Sequence, residues 1–316
     1  MHSTIVTVTF SPCIDKSTAI KKLCPDKKLL CSPPKLEPGG GGINVARAIK
    51  KLGGIATAVF PSGGYTGKYF NHLLEVENIP AIIIETQNET RENIIVLDEE
   101  TNAQYRFGMP GTALTETEWK SCLQAVDEID DVSFIIASGS LPTGVPHDIY
   151  AMLAKIAKDK QAKFIVDTSG EPLKKAVEQG VYLLKPNLGE LSFLVGKNDL
   201  QKDEAEAAAK LIIQKGLCEV VVLSMGADGA MMVTNKETVV ICPPHVERKS
   251  TVGAGDSMVA GIVYYLHKGK NILEAVKYGV ACGTAATMNA GTELCNLKDV
   301  KMLFEKINNT QKAISV

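Results

Sequence analysis

The chain is poor in the residues that mark several protein classes. Aromatics make up 5% of its 316 residues, with a single Trp, and there are only five His. The formal net charge is −2, so no surplus of Lys and Arg offers a footprint for nucleic acid or an anionic membrane surface. No uninterrupted apolar run reaches the ~20 residues of a membrane-spanning helix, and Met1 opens no signal-peptide pattern. Internal repeats and low-complexity stretches are missing too. Eight cysteines (Cys13, Cys24, Cys31, Cys122, Cys218, Cys242, Cys282, Cys295) are present, but no two form a C-x-x-C pair. Scattered through mostly apolar segments, they read as free thiols in a reducing compartment rather than as disulfides or zinc ligands. These absences predict a soluble cytoplasmic protein without nucleic-acid or membrane partners.

What the chain does have is apolar material, 45% of its residues, arranged in alternating strands and helices. Ile5–Phe10 is a short β-rich opening strand, and Ala56–Phe60 another. Phe134–Ala137, Lys163–Val166, Val181–Leu184 and Val220–Leu223 are continuous apolar runs, as parallel strands buried on both faces require. Helices are expected over 67–77, from Thr115 (with Glu118 completing a capping-box pattern), over 147–159, and through most of the chain after Asp256. Such alternation predicts an α/β fold with a doubly wound, mostly parallel sheet and ligands at the carboxyl ends of its strands. Two stretches break the rhythm. Residues 11–36 are rich in Pro and Lys, and Arg91–Phe107 reads as a hairpin turning at Glu99–Asn102. Neither can bury a face alone, so together they should cover something or pair with another subunit.

The chemistry concentrates in Ser250-Thr251-Val252-Gly253-Ala254-Gly255-Asp256-Ser257, followed by an apolar run of helical length. That order places small residues at a helix N-terminus, where unpaired N–H groups and the dipole attract an anion. A lone carboxylate beside such a nest repels a resting phosphate. Asp256 therefore suits a general base for a hydroxyl that attacks a phosphoryl group. From these residues alone, a glycine-rich turn with an ordinary first-turn acid fits equally well. Two other glycine-rich patterns fail. Ser62–Tyr69 lacks the first Gly and the final Ser/Thr of a P-loop, and Met258 stands where a dinucleotide fingerprint needs its third Gly.

Thr251–Ser257 resembles the C-terminal signature of the ribokinase-like, PfkB-type sugar kinases, and Glu37–Ala48, with Gly39–Gly42 and Asn44, is similar to their N-terminal signature. The likeness runs through nearly the whole chain and is nearest to the bacterial 6-phosphofructokinase branch. It implies one ribokinase-like domain over 1–316, with a small β-sheet lid formed by roughly 12–36 and 88–109 that also makes a homodimer interface. On the sugar side it implies contacts from Asp15, Gly40, Gly41, Asn44 and Ser140, with Lys28 and Arg91 holding a substrate phosphate. On the nucleotide side it implies ATP held by Lys185, Asn187, Ser224, Gly226, Thr284 and Asn289, with Asn187, Glu190 and Asp167 around Mg²⁺. Backbone at Ser250, Val252, Ala286, Asn289 and Gly291 would take K⁺. The Gly253, Ala254 and Gly255 N–H groups and Asp256 would form the catalytic centre. Two positions depart from close relatives, Leu30 and Glu293, both arginine there. The first removes a phosphate contact unless Lys27 replaces it.

The resemblance implies ATP-dependent phosphorylation of fructose 6-phosphate at its 1-hydroxyl, a glycolytic step. The rival expectations are a tagatose-6-phosphate kinase or 1-phosphofructokinase of the same branch and, from a different class, a non-catalytic sugar or nucleotide sensor.

Overall fold

The computed structural model describes residues 4–289 and 291–314, the last four through their backbone alone. Thirteen strands occur among them. The first seven are β1 (Thr4–Val8), β2 (Cys13–Ile20), β3 (Lys35–Gly39), β4 (Thr57–Gly63), β5 (Ala81–Thr86), β6 (Arg91–Asp98) and β7 (Ala103–Phe107). The others are β8 (Val132–Ser138), β9 (Lys163–Asp167), β10 (Val181–Leu184), β11 (Cys218–Ser224), β12 (Ala230–Val233) and β13 (Thr238–Ile241).

Nine of these form one sheet in the order β13-β12-β11-β10-β9-β8-β1-β4-β5, parallel from β5 to β11 and antiparallel at β12 and β13. The apolar runs of the sequence became its central strands because both faces are covered. Ile5, Ile136, Ile165 and Val220 pack into one core with helices Gly41–Lys51, Gly64–Val76, Ala254–His267 and Ile272–Thr287. Their sequence neighbours Val6, Ile135, Val166 and Val221 point the other way, into a core with helices Glu116–Asp127, Ile149–Asp159 and Ala205–Gln214. After β1 the chain first builds outward through β4 and β5, then returns to add β8 on the other side. This reversal opens a crevice at the carboxyl ends of β1 and β8, where doubly wound sheets take their ligands.

The remaining four strands make a separate sheet, β3-β2-β6-β7, in which β2 and β6 run parallel over eight residue pairs from Cys13↔Arg91 to Ile20↔Asp98. The hairpin expected over 91–107 is the β6–β7 pair. Strand β3 extends to Gly39, past the boundary at 36 expected from sequence, and it carries Pro38. A proline lacks the N–H a central strand would need, and β3 tolerates it because it is the sheet's edge. Ile94, Tyr105, Phe107 and Met109 are exposed on or just after the hairpin.

Candidate active site

Gly253 adopts a left-handed conformation (φ 71°) and caps helix Ala254–His267, so Asp256 is the helix's third residue. The expected helix N-terminus is therefore present, with the Ala254 N–H making one long bond to the Thr251 carbonyl at 3.5 Å. A side chain on Gly253 would begin 2.6 Å from Leu294 Cδ2, and one on Gly255 only 3.3 Å from Lys185 Nζ. The amine of Lys185, which follows β10, thus stands at the mouth of the nest. Burial pushes the Asp256 carboxyl up, and the negative charges of Asp167 and Asp15 add to it. The hydrogen bond from Asn44 and the charge of Lys185 oppose them, and the balance falls at about 7. Lys185 is buried, which favours its neutral form, but Asp167 at 3.3 Å and the Asp256 charge outweigh that and hold the pKa above its ordinary value. The pair is a cationic amine beside a carboxyl poised to gain or lose a proton near neutrality.

Of the residues the resemblance puts on the sugar side, Asn44, Asp15 and Arg91 converge on this point from the other end of the chain. Asn44, on the first turn of helix Gly41–Lys51, donates from Nδ2 to Asp256 Oδ2 at 2.9 Å, while its buried Oδ1 has no partner. The glycines before it serve close approach. A Cβ on Gly39 would lie 2.4 Å from Asp15 Oδ2, and one on Gly41 2.2 Å from Ser138 Oγ. Asp15 is buried and accepts from Asn93 Nδ2 at 3.0 Å, and burial raises its carboxyl. Arg91, its neighbour in the small sheet, donates to the carbonyls of Ser11 (3.0 Å) and Met109 (2.8 Å), leaving a buried Nε–H without a partner. Ser140 is exposed two residues past β8. Lys28 is exposed on the long 21–34 segment and makes no hydrogen bond or ion pair among the described residues. Leu30 on the same segment is 85% exposed.

On the opposite side, Asn187 and Glu190 form a capping box at helix Leu188–Leu194, with both reciprocal bonds at 2.9 Å. The bland structural role open to these residues is thus realised, yet it uses only one carboxylate oxygen and leaves the Asn187 amide N–H groups unused. Burial, and the Asp167 charge beyond it, raise Glu190 against the bond from the Asn187 N–H. The four carboxylates Asp15, Asp167, Glu190 and Asp256 thus share the site with two cations, Lys185 and Arg91. No set of three or more His, Cys, Asp and Glu among the described residues is close enough to bind a metal alone. A hydrated Mg²⁺ needs few protein oxygens, and the surplus negative charge fits one beside Asn187, Glu190 and Asp167.

Ser224 ends β11 and bonds back to the Pro186 carbonyl, and Gly226 two residues on is left-handed (φ 62°) with open space around its Cα. Thr284 spends its hydroxyl on Val280 of its own helix. The residues considered for K⁺ do gather. Ser250 Oγ donates to the Gly291 carbonyl at 2.7 Å and accepts from Val252 N–H, while Asn289 N–H donates to Ala286. Backbone carbonyls of this kind are suitable ligands for a monovalent cation.

Three features escaped the sequence. The failed P-loop Ser62–Tyr69 does open a helix, but its N-terminal N–H groups at Tyr65 and Thr66 bind the chain's own Glu89 carboxylate at 3.0 and 2.9 Å. Arg106 on β7 donates to Thr251 Oγ1, joining the hairpin to the segment before the nest. Arg47, 2% exposed, is bound by Glu77, Glu37 and the Pro38 carbonyl. A basic residue on an amphipathic helix gives no sequence signal that it is buried. The departure at Glu293 has a local account, because Glu293 pairs with Lys35 at 3.6 Å.

Comparison with known proteins covers almost the whole chain. The family model for pfkB family carbohydrate kinases matches residues 8–299. The sequence is 43% identical over 301 residues to the ATP-dependent 6-phosphofructokinase isozyme 2 of Escherichia coli strain K12, covering 95% of this chain and 97% of that one. The crystal structure of phosphofructokinase-2 from Escherichia coli in complex with fructose-6-phosphate superposes with a TM-score of 0.92 at 41% identity, over 97% of this chain and 99% of that one. Its complex with potassium gives 0.93 at 42% identity with the same coverage.

Proposed function

The chain belongs to the pfkB family of carbohydrate kinases, and on that footing we propose that it transfers the γ-phosphoryl group of ATP to the 1-hydroxyl of fructose 6-phosphate. The observation that carries this reading is the single point where Asn44, Asp256 and Lys185 meet at a helix N-terminus. In the reaction, the 1-hydroxyl oxygen forms a bond to the γ-phosphorus and the bond to the leaving ADP oxygen breaks. Asp256 takes the hydroxyl proton. The N–H groups of Gly253, Ala254 and Gly255 and the Lys185 amine face the charge that spreads over the transferring oxygens. When bound beside Asn187, Glu190 and Asp167, Mg²⁺ neutralises charge on the nucleotide phosphates. Asn44 orients the base, Asp15 with Gly40 and Gly41 grips sugar hydroxyls, and Arg91, Ser140 and Lys28 hold the 6-phosphate. The unpartnered Arg91 Nε–H suits that last task. Ser224, Gly226, Thr284 and Asn289 line the nucleotide side.

The chain forms one ribokinase-like domain, and the β3-β2-β6-β7 sheet acts as a lid whose exposed Ile94, Tyr105 and Phe107 support pairing with a second copy. A K⁺ site at the Ser250–Gly291 junction, a glycolytic role and a cytoplasmic location complete the reading. ATP-dependent turnover with Mg²⁺ and K⁺ on fructose 6-phosphate, tagatose 6-phosphate, fructose 1-phosphate and unphosphorylated sugars tests it. A kcat/KM preference for fructose 6-phosphate is expected. A preference for another phosphate would keep the mechanism and overturn the substrate, and no turnover at all would point to a sensor.

A further inference from the structure

Three consecutive residues after helix Ile272–Thr287 touch the two neighbouring strands β2 and β3. A Cβ on Gly291 would stand 3.3 Å from Ser17 Oγ, a buried hydroxyl with no hydrogen-bond partner. Thr292 Oγ1 donates to Glu37 Oε2 at 2.8 Å across 255 residues of sequence, and both side chains are buried. Glu293 reaches Lys35, whose Nζ also lies 3.3 Å from Glu37 Oε1. The contacts follow the strand register, in which Ser17 faces Lys35 and Asp15 faces Glu37. Glu37 is in turn held by Arg47, which stands on the same helix as Asn44 and also binds the Pro38 carbonyl. One carboxylate therefore ties together the strand opposite Asp15, the glycine turn and the helix of Asn44. On the far side, the Gly291 carbonyl accepts from Ser250, three residues before the nest.

We propose that Gly291–Glu293 is the seat on which β2 and β3 rest, and that Glu37 is a positioning residue whose bond from Thr292 sets the sugar-side groups relative to the nest. The inference rests on the sugar-phosphate reading for its ligand. Thr292→Val removes the donor and keeps the volume. Removing a hydrogen bond to a buried charged group shifts the balance between arrangements by roughly tenfold or more, and the apparent Kd of a ligand that needs the bonded arrangement rises by up to that factor. Calorimetry without ATP should therefore show the fructose 6-phosphate Kd rising about tenfold. The Kd of a non-hydrolysable ATP analogue should stay within twofold, and Thr292→Ser should restore sugar binding. Unchanged sugar binding, or an equal loss for both ligands, overturns the proposal. Should Val at this site prevent folding, Thr292→Ala serves the same comparison. If the wild type binds no fructose 6-phosphate, the substrate reading falls on its own and amide exchange without ligand decides about the seat. Faster exchange over Cys13–Ile20 and Lys35–Gly39 in Thr292→Val supports it, and unchanged exchange overturns it.

Discussion

Replacing Asp256 by Asn should affect stability and catalysis in opposite directions. In the folded protein its carboxyl is raised from 3.8 to about 7, chiefly by burial and then by the Asp167 charge. At 1.36 kcal/mol per pH unit, that distance corresponds to about 4 kcal/mol of preference for the protonated form. A folded-state value above the unfolded one means that the native state holds this proton more tightly. It therefore loses stability as pH rises from about 4 to about 7 and stays at the lower level above that. Asn cannot ionise and escapes the loss. The advantage of Asp256→Asn over wild type should thus widen by about 3 kcal/mol between pH 5 and pH 8, read as a Tm gap that grows by roughly 5 °C. Activity should move the other way, with kcat down ~10²–10⁴-fold because the proton acceptor is gone. Wild-type kcat/KM should climb with pH and level off above about 7. The substrate phosphate itself titrates near pH ~6, so the ligand-free Tm measurement isolates the Asp256 contribution. A Tm gap that is the same at pH 5 and pH 8 would refute the burial argument. A folded variant with kcat within tenfold of wild type would refute the base.

Three further perturbations read the neighbouring groups. Lys185→Met removes a charge that lowers Asp256, so the rising limb of kcat/KM should move above pH 7 while kcat falls at least ~100-fold; a limb that stays in place separates the two residues. Arg91→Ala should raise the KM for fructose 6-phosphate by roughly 10–100-fold without affecting unphosphorylated sugars. Arg91→Lys should not rescue it, because Arg91 also bridges the Ser11 and Met109 carbonyls, and an unchanged KM for the Ala variant would remove it from the phosphate site. Glu190→Gln keeps an oxygen for the capping box but loses the charge. Half-saturation by Mg²⁺ should therefore rise about tenfold or more with little change in Tm, and undiminished Mg²⁺ affinity would count against the assignment.

Much of the large sheet was legible because burial on both faces writes itself as unbroken apolar runs. β10 matches its expected span residue for residue, and β8 and β9 differ from theirs only at the ends. The short antiparallel strands β12 and β13 at one end of the sheet were not, since four residues each carry little pattern of their own. β3 was hidden behind Pro38 and Gly39, which argue against a strand anywhere but at an edge. In the site, Lys185 came from the family resemblance alone, whereas the glycine turns before Asn44 and Asp256 announced themselves through small residues around lone polar ones. Arg47, Glu37 and Thr292 did not, because their significance lies in who meets whom across 255 residues. The P-loop-like stretch shows the same limit from the other direction. Its sequence said it was no phosphate loop, but only the structure showed that Glu89 occupies the place of the anion.

The bond from Asn44 to Asp256 spans 212 residues, and β1 lies between β4 and β8 in mid-sheet. Synthesis at ~5–20 residues per second would expose the sugar-side turn roughly 10–40 s before the base that completes it. The opening strand likewise waits for β8 before it has a neighbour on that side. A nascent or prematurely ended chain can thus present sugar-side residues but no proton acceptor. On the proposed reading, a chain that has not yet reached Asp256 cannot spend ATP, because it lacks the proton acceptor.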